Sequence, residues 1–137
     1  AAGAAALFAL TYNGSSQCVP PEPEDDMIRG LMNGHQRQND KGFGRAEGPD
    51  ATDCAARCFA SEGYSIDRDA SDWRLPPQAE DLQRLLIEGW AEAAEEMAPE
   101  ESATIRRWLD RRLAHVERHA SRITVCHEDL AAFPAQA

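Results

Sequence analysis

The stretch Ala4-Ala5-Ala6-Leu7-Phe8-Ala9-Leu10-Thr11-Tyr12 is an unbroken apolar run, closed by Asn13-Gly14-Ser15-Ser16. A run of this length between turn residues reads as a strand buried on both faces, the kind found in parallel sheets. Asn-Gly also opens hairpins, but no alternating partner strand follows. The next segment is Cys18-Val19-Pro20-Pro21-Glu22-Pro23, whose three prolines exclude regular structure. So even an apolar strand needs neighbours on both sides, and the rest of the chain supplies a partner for one side at most.

Further along, Glu24-Asp25-Asp26 opens a short helix from Asp26 to about Asn33, with acids at the positive end of its dipole. His35 to Pro49 is polar, holds two close glycines and lacks an apolar period, so it reads as a loop. Asp50 or Thr52 caps a helix running to Glu62, with Gly63 as its stop. Tyr64 to Asp69 alternates like a strand near a sheet edge.

Pro76-Pro77 starts a long helix whose spacing predicts a buried face of Leu82, Leu85, Leu86, Trp90, Ala93 and Met97. Pro99 starts a second, with Ile105, Trp108, Leu109, Leu113 and Val116 inward. The short joint makes the two an antiparallel hairpin, the first rich in Glu and the second in Arg, with complementary charge. Ser121 to His127 is the last strand, β-branched at Ile123, Thr124 and Val125. Three strands interleaved with four or five helices give an α/β class in one domain, 1–137, with a helical hairpin at 76–120.

Fourteen Lys plus Arg against twenty-four Asp plus Glu gives 14 − 24 = −10, which argues against a non-specific nucleic-acid binder. No apolar run reaches the roughly 20 residues of a membrane-spanning helix, so no membrane partner is expected. Cys18, Cys54, Cys58 and Cys126 lack the spacing of a disulfide-rich module and read as free thiols of a cytoplasmic protein. The chain does not open on Met, and no basic residue precedes its first apolar run. It is therefore read as the end of a longer protein, entered partway through.

His115 and His119 stand at i and i+4, a spacing that can share a metal. No third ligand is placed by sequence. His127 and Cys126 are no more than candidates, so a solvated helix face is expected, with no metal. Cys54 and Cys58, also one turn apart, read as small buried helix residues. Lys41-Gly42-Phe43-Gly44 lacks the residue order of a nucleotide-binding phosphate loop, and no strand immediately precedes it. His35, Gln36, Arg37, Asp40, Lys41 and Phe43 nonetheless crowd polar, charged and aromatic groups into one segment, as loops lining sites do. Against this stands a plain solvated connection. Trp73-Arg74 could face the same cavity; the plainer alternative packs Trp73 under the hairpin. No nucleophilic triad assembles by spacing, and no catalytic residue is named.

These blocks come in a familiar order: Leu7-Phe8-Ala9-Leu10-Thr11-Tyr12-Asn13-Gly14, His35-Gln36-Arg37, Asp40-Lys41-Gly42-Phe43-Gly44, Gly48-Pro49, Gly63-Tyr64 and Ser71-Asp72-Trp73-Arg74-Leu75. In this order the chain resembles the C-terminal half of bacterial class I S-adenosylmethionine-dependent methyltransferases. The resemblance implies part of a Rossmann-like, seven-stranded sheet whose last strand runs antiparallel between the fifth and sixth. Residues 5–12 resemble strand five, 64–69 strand six and 122–127 strand seven, with the hairpin inserted between six and seven. It also implies S-adenosylmethionine as cofactor, although the family's glycine-rich cofactor loop and ribose-holding acid have no counterpart here. No residue of this chain is therefore assigned to cofactor binding.

Ligands of open α/β sheets bind beyond the carboxyl ends of the strands, which sets Thr11, Tyr12 and Asn13 at a pocket rim. By the resemblance, Tyr12, Asn13, His35, Gln36, Arg37, Asp40, Lys41, Phe43, Trp73 and Arg74 would hold a small-molecule methyl acceptor. The rival expectation is a non-enzymatic α/β interaction domain, a homo-oligomer for instance, pairing through the exposed edge of its first strand.

Overall fold

The computed structural model describes residues 3–38, 40, 42 and 44–134. Strand β1 (Ala6–Val19) leads to helix α1 (Asp25–Gln38), and a 3₁₀ turn at Gly48–Asp50 leads into α2 (Ala51–Ser61). Strands β2 (Tyr64–Ala70) and β3 (Trp73–Leu75) follow. The long helices α3 (Glu80–Met97) and α4 (Ser102–Glu117) come next, and β4 (Arg122–Pro134) closes the order. The class is α/β.

The last strand is the middle of the sheet. β4 pairs antiparallel with β1 along one side and with β2 and then β3 along the other. β1 and β2 therefore run parallel to each other, and among the described residues β1 is an edge strand. Four strands form, one more than expected. Trp73–Leu75 is too short to show an alternation, yet its three residues lie opposite Val125, Thr124 and Ile123. The first strand is not buried on both faces between parallel neighbours. It has one antiparallel partner, and Leu7 is 72% exposed. β1 also runs on through Asn13-Gly14-Ser15-Ser16. The register against β4 shifts between Tyr12 and Ser16, and Gly14 takes φ +87° there. The sequence that looked like a turn is a bulge inside a strand.

Register partners share a face of the sheet. Cys18, Leu75, Ile123 and Val125 turn one way, into a core with Ile28 of α1, Ile87, Ala91 and Ala94 of α3, and Ile105, Trp108 and Val116 of α4. On the other face lies α2, whose Phe59 ring meets Phe8 at 5.9 Å and Tyr64 at 5.3 Å. Leu130 and Ala132 are buried in the C-terminal half of β4 on that side.

Two helices differ from expectation. α1 does not stop at Asn33 but continues to Gln38, where His35 and Arg37 supply the positive charge that a helix C-terminus favours. In α3 the buried residues are Gln83, Ile87, Ala91 and Ala94, whereas Leu82 and Leu85 are exposed, Leu85 at 68%. The alanines allow close approach of α1 and α4. Gln83 is inside because its amide donates to the Pro76 and Ser121 carbonyls at 2.8 and 3.2 Å.

The arginines of α4 also find unexpected partners. Among the described residues the only ion pairs that join α3 to α4 are Arg84–Glu117 and Arg106–Glu95, beside a hydrogen bond from Ser102 Oγ to Glu95. Arg111 instead holds Glu22 (2.6 Å) and Glu24. Arg112, with no exposed side-chain surface, grips Asp25 and donates to the Pro20 carbonyl at 2.6 Å. Trp108 Nε1 donates to Asp25 Oδ1 at 2.8 Å, and His115 Nε2 lies 2.8 Å from Glu22 Oε1. Burial opposes ionisation of Asp25, but Arg112, the Glu22 N–H and Trp108 together hold its carboxyl below the ordinary range. Burial is likewise outweighed at Glu22 by hydrogen bonds from His115 and Arg111. The acids at the start of α1 thus clamp that helix to α4.

Candidate functional site

The rim formed by the end of β2 and the neighbouring parts of β1 and β4 gathers one polar and aromatic cluster. Tyr12 of β1 and His127 of β4 are register partners, with ring centroids 6.1 Å apart and near-perpendicular planes. Trp73 of β3 approaches the same imidazole at 4.9 Å. His127 follows Ile123 and Val125 on the core-facing side of β4, and only 7% of it is exposed. Its Nδ1 stands 3.0 Å from the Val125 carbonyl, and its backbone N–H donates to Asp72 Oδ1 at 3.2 Å. A carbonyl only accepts, so Nδ1 carries a hydrogen and Nε2 is the ring nitrogen not engaged by the backbone. Burial pushes the Tyr12 phenol up to about 12, against the pull of Arg29 and Ser16, so Tyr12 is a neutral phenol at neutral pH.

Chemically, the cluster offers two aromatic surfaces and one imidazole nitrogen able to take a proton. Sequence reading missed His127 as its centre. The available signal was its place in the alternation Ile123, Val125, His127, which puts an imidazole on an otherwise apolar face.

The other expected site residues fall elsewhere. Asn13 is exposed, and its Oδ1 accepts the Ser15 N–H at 3.1 Å. His35, on the last turn of α1 and not in a loop, lies 2.7 Å from Glu96 of α3. Gln36 is half-buried beside it. Arg37 binds Asp50 through Nε and Nη2 at 3.1 and 2.8 Å, and its carbonyl accepts from Arg45. Asp40 Oδ1 accepts the Gly42 and Gly44 N–H groups at 2.7 and 3.1 Å. Those amides are consumed within the loop, so they do not cradle a phosphate. Lys41 and Phe43 lie outside the described residues. Arg74 points to the face opposite Trp73, by strand alternation. The structure therefore brings Tyr12 and Trp73 together through His127. His35, Arg37 and Asp40 each hold other partners, and among the described residues no hydrogen bond or ion pair joins them to that cluster.

His115 and His119 also part company. His115 pairs with Glu22, while His119 ends α4 at φ +53° and reaches Glu80 at 2.7 Å. Among the described residues no group of three His, Cys, Asp or Glu side chains is placed to hold a metal ion. All four cysteines are free, but Cys58 is exposed and Cys54 half-buried, contrary to the buried pair expected, because α2 turns Thr52 and Phe59 toward the sheet instead. No helix among the described residues is long and apolar enough to cross a membrane.

No known protein family matches the chain, and neither does any curated protein or any solved structure.

Proposed function

We propose that this chain is the substrate-side part of an S-adenosylmethionine-dependent methyltransferase with a Rossmann-like sheet. The observation that carries the reading is the strand order. Two parallel strands, β1 and β2, are joined by a crossover containing α2, and the final strand lies antiparallel between them. That order is the one the sequence resemblance implies for strands five, seven and six. An edge strand of 14 residues with Leu7 and Phe8 exposed supports it further, since such an edge is suited to a neighbouring strand.

The described residues do not by themselves fit the cofactor. The close glycines lie between two helices and spend their amides on Asp40, and no glycine-rich strand-to-helix turn is present among the described residues. The cofactor's place thus belongs to a longer polypeptide in this reading. This chain's own contribution is to seat the acceptor. Trp73 and Tyr12 offer flat surfaces, and His127 Nε2 takes the proton released from an acceptor hydroxyl or amine. Alignment of this kind supplies most of what methyl transfer needs.

Calorimetric titration of S-adenosylmethionine into the longest natural form of the polypeptide tests the proposal. Saturable binding is expected there and none in residues 1–137 alone; absence of heat in the long form overturns the reading. The open edge of β1 also favours a second reading, a non-enzymatic domain that pairs strand to strand. Light scattering showing a stable dimer, together with a long form lacking cofactor affinity, would select it.

A further inference from the structure

Strand register places a donor-rich patch on the face of the sheet opposite the core. Leu75 and Ile123 are partners and both are buried beneath the helices. Alternation turns their neighbours outward: Arg74, its partner Thr124, and Arg122 two residues before Thr124 on β4. Gln17 of β1 lies opposite Thr124 on the other side. One row across three strands therefore reads Gln17, Thr124, Arg74, with Arg122 diagonal to Arg74. Arg74, Arg122 and Thr124 line a single concavity with Pro76 at its side. The aromatic packing of α2 lies toward Phe8 and Tyr64, at the other end of this face.

Arg68, Arg111 and Arg112 each hold one or two carboxylates, in a chain with net charge −10. Arg74 and Arg122 are exposed and hold none among the described residues. Arg45, Arg57, Arg107 and Arg118 also lack a carboxylate partner among the described residues, but Arg74 and Arg122 are the two such cations that share one concavity. Neighbouring like charges on paired strands repel, and an oxyanion between them removes that repulsion. Guanidinium forks match the geometry of phosphate and carboxylate oxygens, and the Thr124 hydroxyl and Gln17 amide add donors.

We infer that Arg74, Arg122 and Thr124 bind the oxyanion of a small molecule, a phosphate or a carboxylate. Two cations on an acidic molecule suit one anionic group better than a polyanion. The inference stands on strand register and is independent of the methyltransferase reading.

Inorganic phosphate and, separately, succinate are titrated into residues 1–137 while backbone amide resonances are followed. Saturable shifts at residues 74 and 122–124 with either probe support the site, and the tighter probe names the anion. Arg74→Gln and Arg122→Gln should each weaken binding about tenfold or more, whereas Arg107→Gln, at an exposed position of α4, should not. Shifts spread over all exposed arginines, or affinity unchanged in both patch variants while they remain folded, would overturn it. Because both residues are exposed on strands, each variant is checked for an unchanged circular dichroism spectrum before titration.

Discussion

The two halves of β1 pair with the same strand but live in different surroundings. The second half carries Cys18, buried in the core with Ile28, Ile123 and residues of α3 and α4. The first half carries Leu7 and Phe8 exposed, with only α2 reaching Phe8. Apolar sequence is therefore no guide to burial here; what differs is whether helices lie over the strand. The covered half owes its cover to a polar device, the Glu22–Asp25 segment gripped by Trp108, Arg111, Arg112 and His115. The contrast suggests an order of fragility, with the clamp first, the core next and the bare edge last.

Arg112→Ala should have the largest effect. It leaves the Asp25 carboxylate part-buried without its guanidinium, and loss of such a partner costs about 3–5 kcal/mol. Urea unfolding measures it, and Arg112→Met, which restores apolar packing, should lose no more than Arg112→Ala does. A sharper comparison sets Ile87→Ala against Leu7→Ala. The fully buried isoleucine should cost about 2–5 kcal/mol, and the exposed leucine within about 0.5 kcal/mol. Equal losses would mean that the edge of β1 is covered in solution.

Acid should weaken the clamp. The folded pKa values of Glu22 and Asp25 lie below their unfolded values. Their contribution is therefore complete above the ordinary carboxylate range, about 4, and is lost as pH falls through the depressed folded values. Asp25→Asn should flatten the acid limb of a stability–pH profile, at the cost of lower stability at neutral pH. The smallest effect is expected at the rim. Tyr12 has a folded pKa of about 12 against 10 for a free phenol, so its stabilisation is present below pH 10 and declines as pH rises toward 12. Spectrophotometric titration should show one phenol ionising late, and Tyr12→Phe should remove that phase.

Much of this architecture can be read from the residues alone, for identifiable reasons. Prolines at 77 and 99 mark the helical hairpin, and β-branched residues at 123–125 mark the central strand. The failures arise where distant partners decide. Leu82 and Leu85 satisfy helical spacing as well as Gln83, Ile87, Ala91 and Ala94 do. Only the close neighbours α1 and α4 select the smaller set. Likewise, the glutamates of α3 are abundant and near, yet Arg111 and Arg112 turn to acids some 87–89 positions away in the chain. Of the aromatic cluster, Tyr12 and Trp73 are among the residues the sequence singles out, although Tyr12 lies in the middle of β1 and not at its carboxyl end. His127, their meeting point, is not legible as such, because its role depends on register between strands that sequence spacing cannot align.

The Gln83 amide has a consequence for how this architecture can change. It ties the carbonyl of Pro76, where the chain leaves the sheet, to that of Ser121, where it returns, while Leu75 and Ile123 sit side by side as strand partners. The excursion from 76 to 121 thus begins and ends at one stitched doorway. A cassette with such adjacent ends can be lengthened, shortened or exchanged by splicing without redirecting any strand, provided its replacement still roofs Ile28, Ile123 and Val125.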